Sequence, residues 1–378
     1  MPGLSDSEKV RYSRHLVMPE VGAEGQRRFK GSSVVVVGAG GLGIPAAVYL
    51  AAAGVGRIGV VDGDVVELSN LHRQFLFSEA DMGRPKAELV RSRLLAINPN
   101  IRVDARRSKL DSSNALEILG GYDIVVDATD NFPSRYLVND ACVLLGKPDV
   151  YASVFRFDGQ ASVFATKDGP CYRCLYPEPP PSEAVQSCAE AGVLGVVTGI
   201  IGAVQANQAI AIILGKGPSL AGRLLLFNGL DTSFNELRIK KSPGCPACGP
   251  NPSITKLIDY EVFCGTKMGA EAVEGEIDPA GLKALIDTGP KPFLLDVREP
   301  LEYQVCRLEG AKLLPLDQLR KRVNELDKAG DIVVYCKTGD RSVKAVRLLR
   351  DAGFSKVRNL KGGIKAWADQ VDPSMPMY

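Results

Sequence analysis

The stretch Val34-Val35-Val36-Val37-Gly38-Ala39-Gly40-Gly41-Leu42-Gly43 decides the fold. Four β-branched residues in a row predict a buried strand, and the apolar segment 42–53 has the spacing of a helix. Glycines between a strand and a helix let the backbone approach a phosphate, while the helix N-terminus supplies N–H donors and positive potential. Asp62 closes the next strand, 57–61, at the position from which a carboxylate takes ribose hydroxyls in such units. Gly38, Gly40, Gly41, Gly43 and Asp62 therefore predict an adenine-nucleotide site, without separating a nicotinamide cofactor from ATP.

The same rhythm continues outward. Strand-like runs at 34–37, 57–61, 101–105 and 124–126 alternate with helical segments at 42–53, 86–97, 112–119 and 133–145. This predicts an α/β fold, a Rossmann-like doubly wound sheet covered by helices, up to about Pro148. Strands at 151–155 and 160–165 around an Asp158-Gly159 turn would continue it in antiparallel fashion, making the sheet mixed. The apolar helix 191–214 that follows carries Thr198, Gln205, Asn207 and Gln208, which suit a buried core helix and would be costly in lipid. Residues 265–275 are small, polar and aperiodic and read as a linker between domains 1–264 and 276–378. The second domain alternates again, with strands at 293–295 and 332–335 and helices at 316–326, 342–352 and 363–370, a smaller α/β unit.

Composition sets limits on function. A chain of 378 residues is long enough for about two to three domains. With 46 Lys and Arg against 44 Asp and Glu the net charge is +2, so neither nucleic acid nor an anionic membrane is expected as a partner. The opening nine residues are polar and acidic and carry no export signal, which points to a cytoplasmic, reducing location.

The segment 62–74 separates the two nucleotide chemistries, because Asp64, Ser69, Asn70 and Arg73 lie in it, Lys86 opens the next helix, and Thr129-Asp130-Asn131 follows the fourth strand. Arg73 and Lys86 can neutralise a triphosphate, and Asp130 can hold Mg²⁺ while charge moves onto departing pyrophosphate. Hydride transfer has little use for this set; adenylation does. Cys171-Tyr172-Arg173-Cys174 and Cys245-Pro246-Ala247-Cys248 have zinc-knuckle spacing, and four thiolates closing a tetrahedral Zn²⁺ leave no open position, so that site would be structural. Disulfides or redox pairs are the alternative reading, disfavoured in a cytoplasmic protein. Cys188 precedes the apolar helix, whose N-terminus would favour a thiolate, although an inert buried thiol fits the spacing as well. Cys142 and Cys264 read as ordinary buried thiols. Cys336-Lys337-Thr338-Gly339-Asp340-Arg341-Ser342 runs from an apolar strand into a helix, which predicts a nucleophilic thiol in a nest of backbone N–H groups able to hold a persulfide. Lys337 and Arg341 add positive charge that Asp340 partly cancels.

Residues 1 to about 264 resemble the MoeB/ThiF family of ubiquitin-activating-type adenylyltransferases. The likeness is carried by RYSRH at 11–15, GAGGLG at 38–43, the segment from Asp62 to Gln74, GRPK ending at Lys86, TDN at 129–131, and SCAEAGVLG from Ser187. It implies ATP and Mg²⁺ as cofactors and, as substrate, a small ubiquitin-like sulfur carrier ending in Gly-Gly. It implies that Gly41, Asp62, Asn70, Arg73, Lys86 and Asp130 build the nucleotide site. Arg14 would reach into the partner subunit's site, making the homodimer the active unit. It also supports zinc at the four cysteines and a covalent carrier intermediate at Cys188.

The second domain resembles a rhodanese, a sulfurtransferase module, through Leu295-Asp296-Val297-Arg298-Glu299, Glu302, Glu309-Gly310-Ala311, the Cys336 loop, and Gly362-Gly363 with Trp367. Cys306-Arg307-Leu308 departs from the Gly-His-Ile turn of many rhodaneses, and Cys306 is not assigned to catalysis. The fusion resembles the fused sulfur-carrier activators, including the eukaryotic form that serves the Urm-type modifier. The expected sequence is adenylation of the carrier, attack by a Cys336 persulfide loaded from a cysteine desulfurase or thiosulfate, and release of a thiocarboxylate by a second thiol such as Cys188. The linker would let Cys336 reach the adenylate. Protein conjugation through a Cys188 thioester is the alternative; a nicotinamide-dependent oxidoreductase and a decayed scaffold fit the motifs less well. The destination of the sulfur is open among molybdopterin, thiamine, cysteine and tRNA thiolation.

Overall fold

A computed structural model describes residues 3–180, 192–215, 219–265 and 275–377. The chain divides into two compact units, Met1–Met268 and Gly269–Tyr378. In the first, eight strands form one sheet in the order β3-β2-β1-β4-β5-β6-β7-β8. They are β1 Ser33–Val37, β2 Arg57–Val61, β3 Arg102–Arg106, β4 Ile124–Asp127, β5 Asp149–Phe155, β6 Asp158–Phe164, β7 Arg223–Asn228 and β8 Ser233–Arg238. Pairs from β3 through β5 are parallel, and those from β5 to β8 are antiparallel. The chain builds β1, β2 and β3 to one side and returns to place β4 on the other. The carboxyl ends of β1 and β4 therefore flank the switch point at which doubly wound sheets open a ligand crevice.

Both faces of the central parallel strands β1, β2 and β4 are covered, so these are nearly continuous apolar runs, whereas the edge strand β3 is charged and partly exposed. Val34 and Val36 pack with Ile44, Leu50, Val197 and Ile201 on one face, and Val35 and Val37 with Tyr136, Cys142 and Tyr151 on the other. The Gly195–Leu214 helix is long and apolar enough to cross a membrane, yet Val197, Ile201, Ala206 and Ala209 are in the core. Its polar residues meet backbone: Gln205 Nε2 donates to the carbonyls of Asp127 (2.6 Å) and Val150 (2.8 Å), and Gln208 Oε1 accepts the Leu220 N–H.

The expected turn at Asp158-Gly159 is not where the chain reverses. Phe155 pairs with Asp158, so the connection is Arg156-Phe157, with Arg156 at φ +54°, and Asp158 and Gly159 belong to β6. Gly159 is needed for a different reason: a Cβ there would come 2.4 Å from Ile201 Cγ1, where the long helix presses on the strand. Strands β7 and β8 extend the sheet beyond what the sequence reading anticipated.

The second unit has a five-stranded parallel sheet in the order β11-β10-β12-β13-β9. Its strands are β9 Glu276–Ile277, β10 Phe293–Asp296, β11 Lys312–Leu313, β12 Ile332–Tyr335 and β13 Val357–Leu360. Helix Asp340–Asp351 begins just after the cysteine loop that ends β12.

Candidate functional site

In the first unit the nucleotide-site candidates converge at the switch point. Loop 38–42 leaves β1 and closes on itself, with Gly43 seated against the Gly38 carbonyl. Asp62, just past β2, reaches this loop: its Oδ2 accepts the Ala39 N–H at 2.7 Å and its Oδ1 accepts the Asp64 N–H at 2.8 Å. Burial nevertheless holds the Asp62 carboxyl above its ordinary range. Gly40 and Gly41 lie between, and a Cβ on Gly41 would come 2.8 Å from Thr198 Oγ1, so the loop rests on the start of the Gly195–Leu214 helix.

Lys86, 6 % exposed, points its ammonium at Asp64 Oδ2 across 3.3 Å. Asn70 is buried and accepts the Glu67 N–H, shaping the 68–74 segment. Arg73 Nη1 donates to the Ser69 carbonyl and to His72 Nε2, each at 2.8 Å. Burial and the adjacent guanidinium both lower the His72 pKa, which favours the neutral ring that can accept this bond. Gly195 packs on His72 and Arg73, tying this segment to the helix that also supports Gly41. Asp130 is exposed beyond β4, while Asn131 caps the Phe132–Leu145 helix by accepting the Ser134 N–H at 3.0 Å and donates Nδ2 to Asp130 Oδ1 at 3.2 Å.

Arg14 is not joined to this set by any hydrogen bond or ion pair among the described residues. It is exposed on the Ser13–Leu16 helix, while its neighbours face inward: Tyr12 OH accepts from Asn98 Nδ2 at 2.7 Å, and His15 pairs with Gln26 at 2.9 Å. Cys188 lies outside the described residues. The sequence reading missed Asp127 and Asp149, fully buried acids on β4 and β5; the available signal was an acid at the end of an apolar run.

Cys171, Cys174, Cys245 and Cys248 come together with their sulfurs within 4.8 Å of one another. The separations include 3.5 Å for Cys171–Cys245, 3.4 Å for Cys174–Cys248 and 4.0 Å for Cys171–Cys174. Tetrahedral Zn²⁺ with bonds of about 2.3 Å requires sulfurs roughly 3.8 Å apart, so the set fits. Burial, then the neighbouring sulfurs, raise the Cys171 thiol, so ionising all four calls for a cation. Beside the cluster, Arg173 makes a bidentate pair with Asp140 (2.8 Å for each bond), and Asp140 also accepts from Tyr260 OH. The Arg173 guanidinium lies over both the Tyr136 ring (4.7 Å) and the Phe263 ring (4.6 Å), which meet edge to face.

In the second unit Cys336 is 1 % exposed, and its Sγ accepts from Gly339 N–H at 3.1 Å and Ser342 Oγ at 3.4 Å. The loop is held from below by the Gly363–Gln370 helix, whose Ile364 and Lys365 N–H groups bond the carbonyls of Cys336 (2.8 Å) and Lys337 (3.0 Å). With those carbonyls engaged, N–H groups are left to face the sulfur. Arg341 does not act as a bare cation beside the thiol: it is bidentate to Glu302 (2.6 and 2.8 Å), and Asp340 accepts from Thr338. Cys306 is buried on the other core cluster, its Sγ 3.7 Å from the Arg298 guanidinium.

Known proteins share both halves. The ThiF family profile matches residues 12–247, and the rhodanese-like domain profile matches residues 278–370. A probable adenylyltransferase/sulfurtransferase MoeZ of Mycobacterium tuberculosis is 47 % identical over 99 % of this chain and 96 % of its own length. The adenylyltransferase and sulfurtransferase MOCS3 of Aedes aegypti is 45 % identical over 99 % of this chain and 90 % of its own. Among solved structures, Escherichia coli MccB with ATP superposes with a TM-score of 0.57 at 26 % identity, covering 65 % of this chain and 75 % of that one.

Proposed function

This chain belongs to the ThiF family, carries a rhodanese-like domain and is an adenylyltransferase and sulfurtransferase, and on that premise we propose how its two sites divide the work. It binds ATP, adenylates a sulfur-carrier protein and transfers sulfur through the rhodanese domain. The observation that carries the reading is the convergence of loop 38–43, Asp62, Lys86 and Asp130 at one switch point.

The loop N–H groups and Lys86 bind the phosphates, Asp62 takes the ribose, and Arg73 faces the charge that builds on pyrophosphate. A single exposed carboxylate such as Asp130, together with substrate phosphates, suits Mg²⁺, which when bound supplies charge neutralisation at the reacting phosphate. The carrier's Gly-Gly carboxylate attacks the α-phosphorus, the bond to pyrophosphate breaks, and an acyl-adenylate forms. A persulfide anion on Cys336 then attacks the acyl carbon, AMP leaves, and the carrier is held as an acyl disulfide. A second thiolate attacks the Cys336 sulfur, forming a disulfide with it and releasing the thiocarboxylate; Cys188 is the candidate thiol. The donor loading Cys336 is a desulfurase persulfide or thiosulfate.

The exposed Arg14 supports a homodimer in which it serves the partner subunit's site. The four-cysteine set holds structural Zn²⁺, and free thiolates suit the reducing cytoplasm that is our proposed location. The test is ATP–pyrophosphate exchange with and without a carrier ending in Gly-Gly, then the carrier's mass after sulfur donor is added. Cys336→Ala should keep exchange and abolish thiocarboxylate. Unchanged thiocarboxylate yield refutes the role of Cys336, and a carrier conjugate at Cys188 that forms without a sulfur donor favours conjugation instead.

A further inference from the structure

Two carboxyls lie beneath the Thr129-Asp130-Asn131 corner. Asp127, the last residue of β4, is fully buried, and its Oδ1 accepts twice from Thr129, from the N–H at 2.9 Å and from Oγ1 at 2.6 Å. Among the described residues its Oδ2 has no hydrogen-bond partner, and neither does either carboxyl oxygen of Asp149, 1 % exposed at the start of β5. The register Val125↔Asp149 and Asp127↔Tyr151 places the two acids diagonally on one face of the sheet. Cys142 and Arg135 on the Phe132–Leu145 helix, Tyr151 on β5 and Asp130 beyond β4 are the other ionisable groups that act on the pair. A buried carboxylate with two donors can carry charge; one beside it with none cannot. Burial lifts Asp127 to about 6 and lifts Asp149 well above its ordinary value, so at neutral pH the single charge is on Asp127.

The Asp127 carboxyl has one visible use. It fixes both donors of Thr129, whose carbonyl faces Arg135 Nη2 at 3.5 Å. One residue later Asn131 is fixed as a helix cap and donates to Asp130 Oδ1. Asp130 is thus held between two pinned neighbours although its own carboxyl is exposed.

We propose that Asp127 is a positioning residue for the adenylation step, its clamp on Thr129 setting the place of the Asp130 carboxylate. This rests on the reading of Asp130 as the acid at the reacting phosphate.

The experiment is ATP–pyrophosphate exchange by the full-length chain with a purified sulfur carrier ending in Gly-Gly, with kcat and the KM for ATP measured separately. Asp127→Ala is expected to lower kcat by on the order of 100-fold, the scale of a displaced catalytic group, with KM for ATP moving less than about threefold. Asp127→Asn keeps an oxygen that accepts both Thr129 donors and should recover most of kcat. Asp149→Asn copies the neutral acid and should remain within about twofold of the parent. Should Asp127→Ala fail to fold, Thr129→Val removes the hydroxyl half of the clamp and should cost kcat about tenfold. A parent-like kcat in folded Asp127→Ala or in Thr129→Val overturns the proposal, as does an Asp127→Asn rate no better than that of Asp127→Ala. Asp130→Ala distinguishes the levels: if it abolishes exchange while Asp127→Ala does not, the clamp alone is refuted. If exchange survives Asp130→Ala, the reading beneath the clamp fails with it.

Discussion

Replacing Gly363 by Ala should disable sulfur transfer while sparing adenylation. Gly363 sits at φ +62°, and an added Cβ would come 2.5 Å from the Cys336 carbonyl oxygen and 2.6 Å from that of Lys337. The left-handed backbone alone costs an alanine about 1–2 kcal/mol. Relieving the overlap pushes the cysteine loop off the helix end and loses the Ile364 and Lys365 bonds, roughly 1 kcal/mol each. Together this is about 3–4 kcal/mol, a large part of what holds a domain of this size, and corresponds to a fall in its unfolding temperature on the order of 10–20 °C. The assay pairs thermal unfolding with mass spectrometry of persulfide loading on Cys336, using ATP–pyrophosphate exchange as the internal control. Loading should collapse while exchange holds. An unfolding temperature within about 2 °C of the parent, with normal loading, would refute the argument that this contact shapes the loop.

Other expectations follow from the first unit. Asp140→Ala strands the buried Arg173 guanidinium and should cost about 3–5 kcal/mol in thermal or urea unfolding, whereas an exposed pair such as Lys9–Asp6 should be nearly neutral. Cys245→Ser should drop bound zinc, measured by elemental analysis, from near one per chain to near zero; full retention would remove Cys245 from the ligand set. Asp149 has a raised folded pKa, so its stabilising proton is fully present below the unfolded value, near 4, and its contribution is lost as pH rises. Asp149→Asn should therefore gain stability relative to the parent more at pH 8 than at pH 5, and an equal change at both would contradict the burial argument.

The parallel half of the fold was legible because its signals are local. Val34 to Val37 followed by a glycine loop states a strand, a turn and a helix within ten positions, and Asp62 and Asp130 then fall just past strand ends and Lys86 at a helix start set by that rhythm. The cysteine pairs were legible by spacing, although only the fold brings Cys171 and Cys245 together. Asp158-Gly159 misled because a pair favoured in tight turns also suits a strand where a helix crosses closely; the glycine answers Ile201, distant in sequence. Strand β8 was missed because most of its residues are exposed and supply little apolar alternation. Arg341 was read as a cation near the thiol, but its charge is taken by Glu302, a partner from the Pro300–Val305 helix. Asp127 and Asp149 escaped notice because a single acid near an apolar run does not reveal that the neighbouring strand carries another.

The burial of Cys336 bears on oxidation. Overoxidation of a thiol requires a small oxidant to reach the sulfur, and here Cys336 is 1 % exposed and its sulfur accepts from Gly339 and Ser342. Dissolved peroxide meets a closed surface. If Cys336 carries the sulfur, as proposed, the same enclosure requires the loop to open before sulfur can be delivered or collected, and the rate of that opening would cap turnover. Resistance to chemical damage and a ceiling on speed come from the same few contacts.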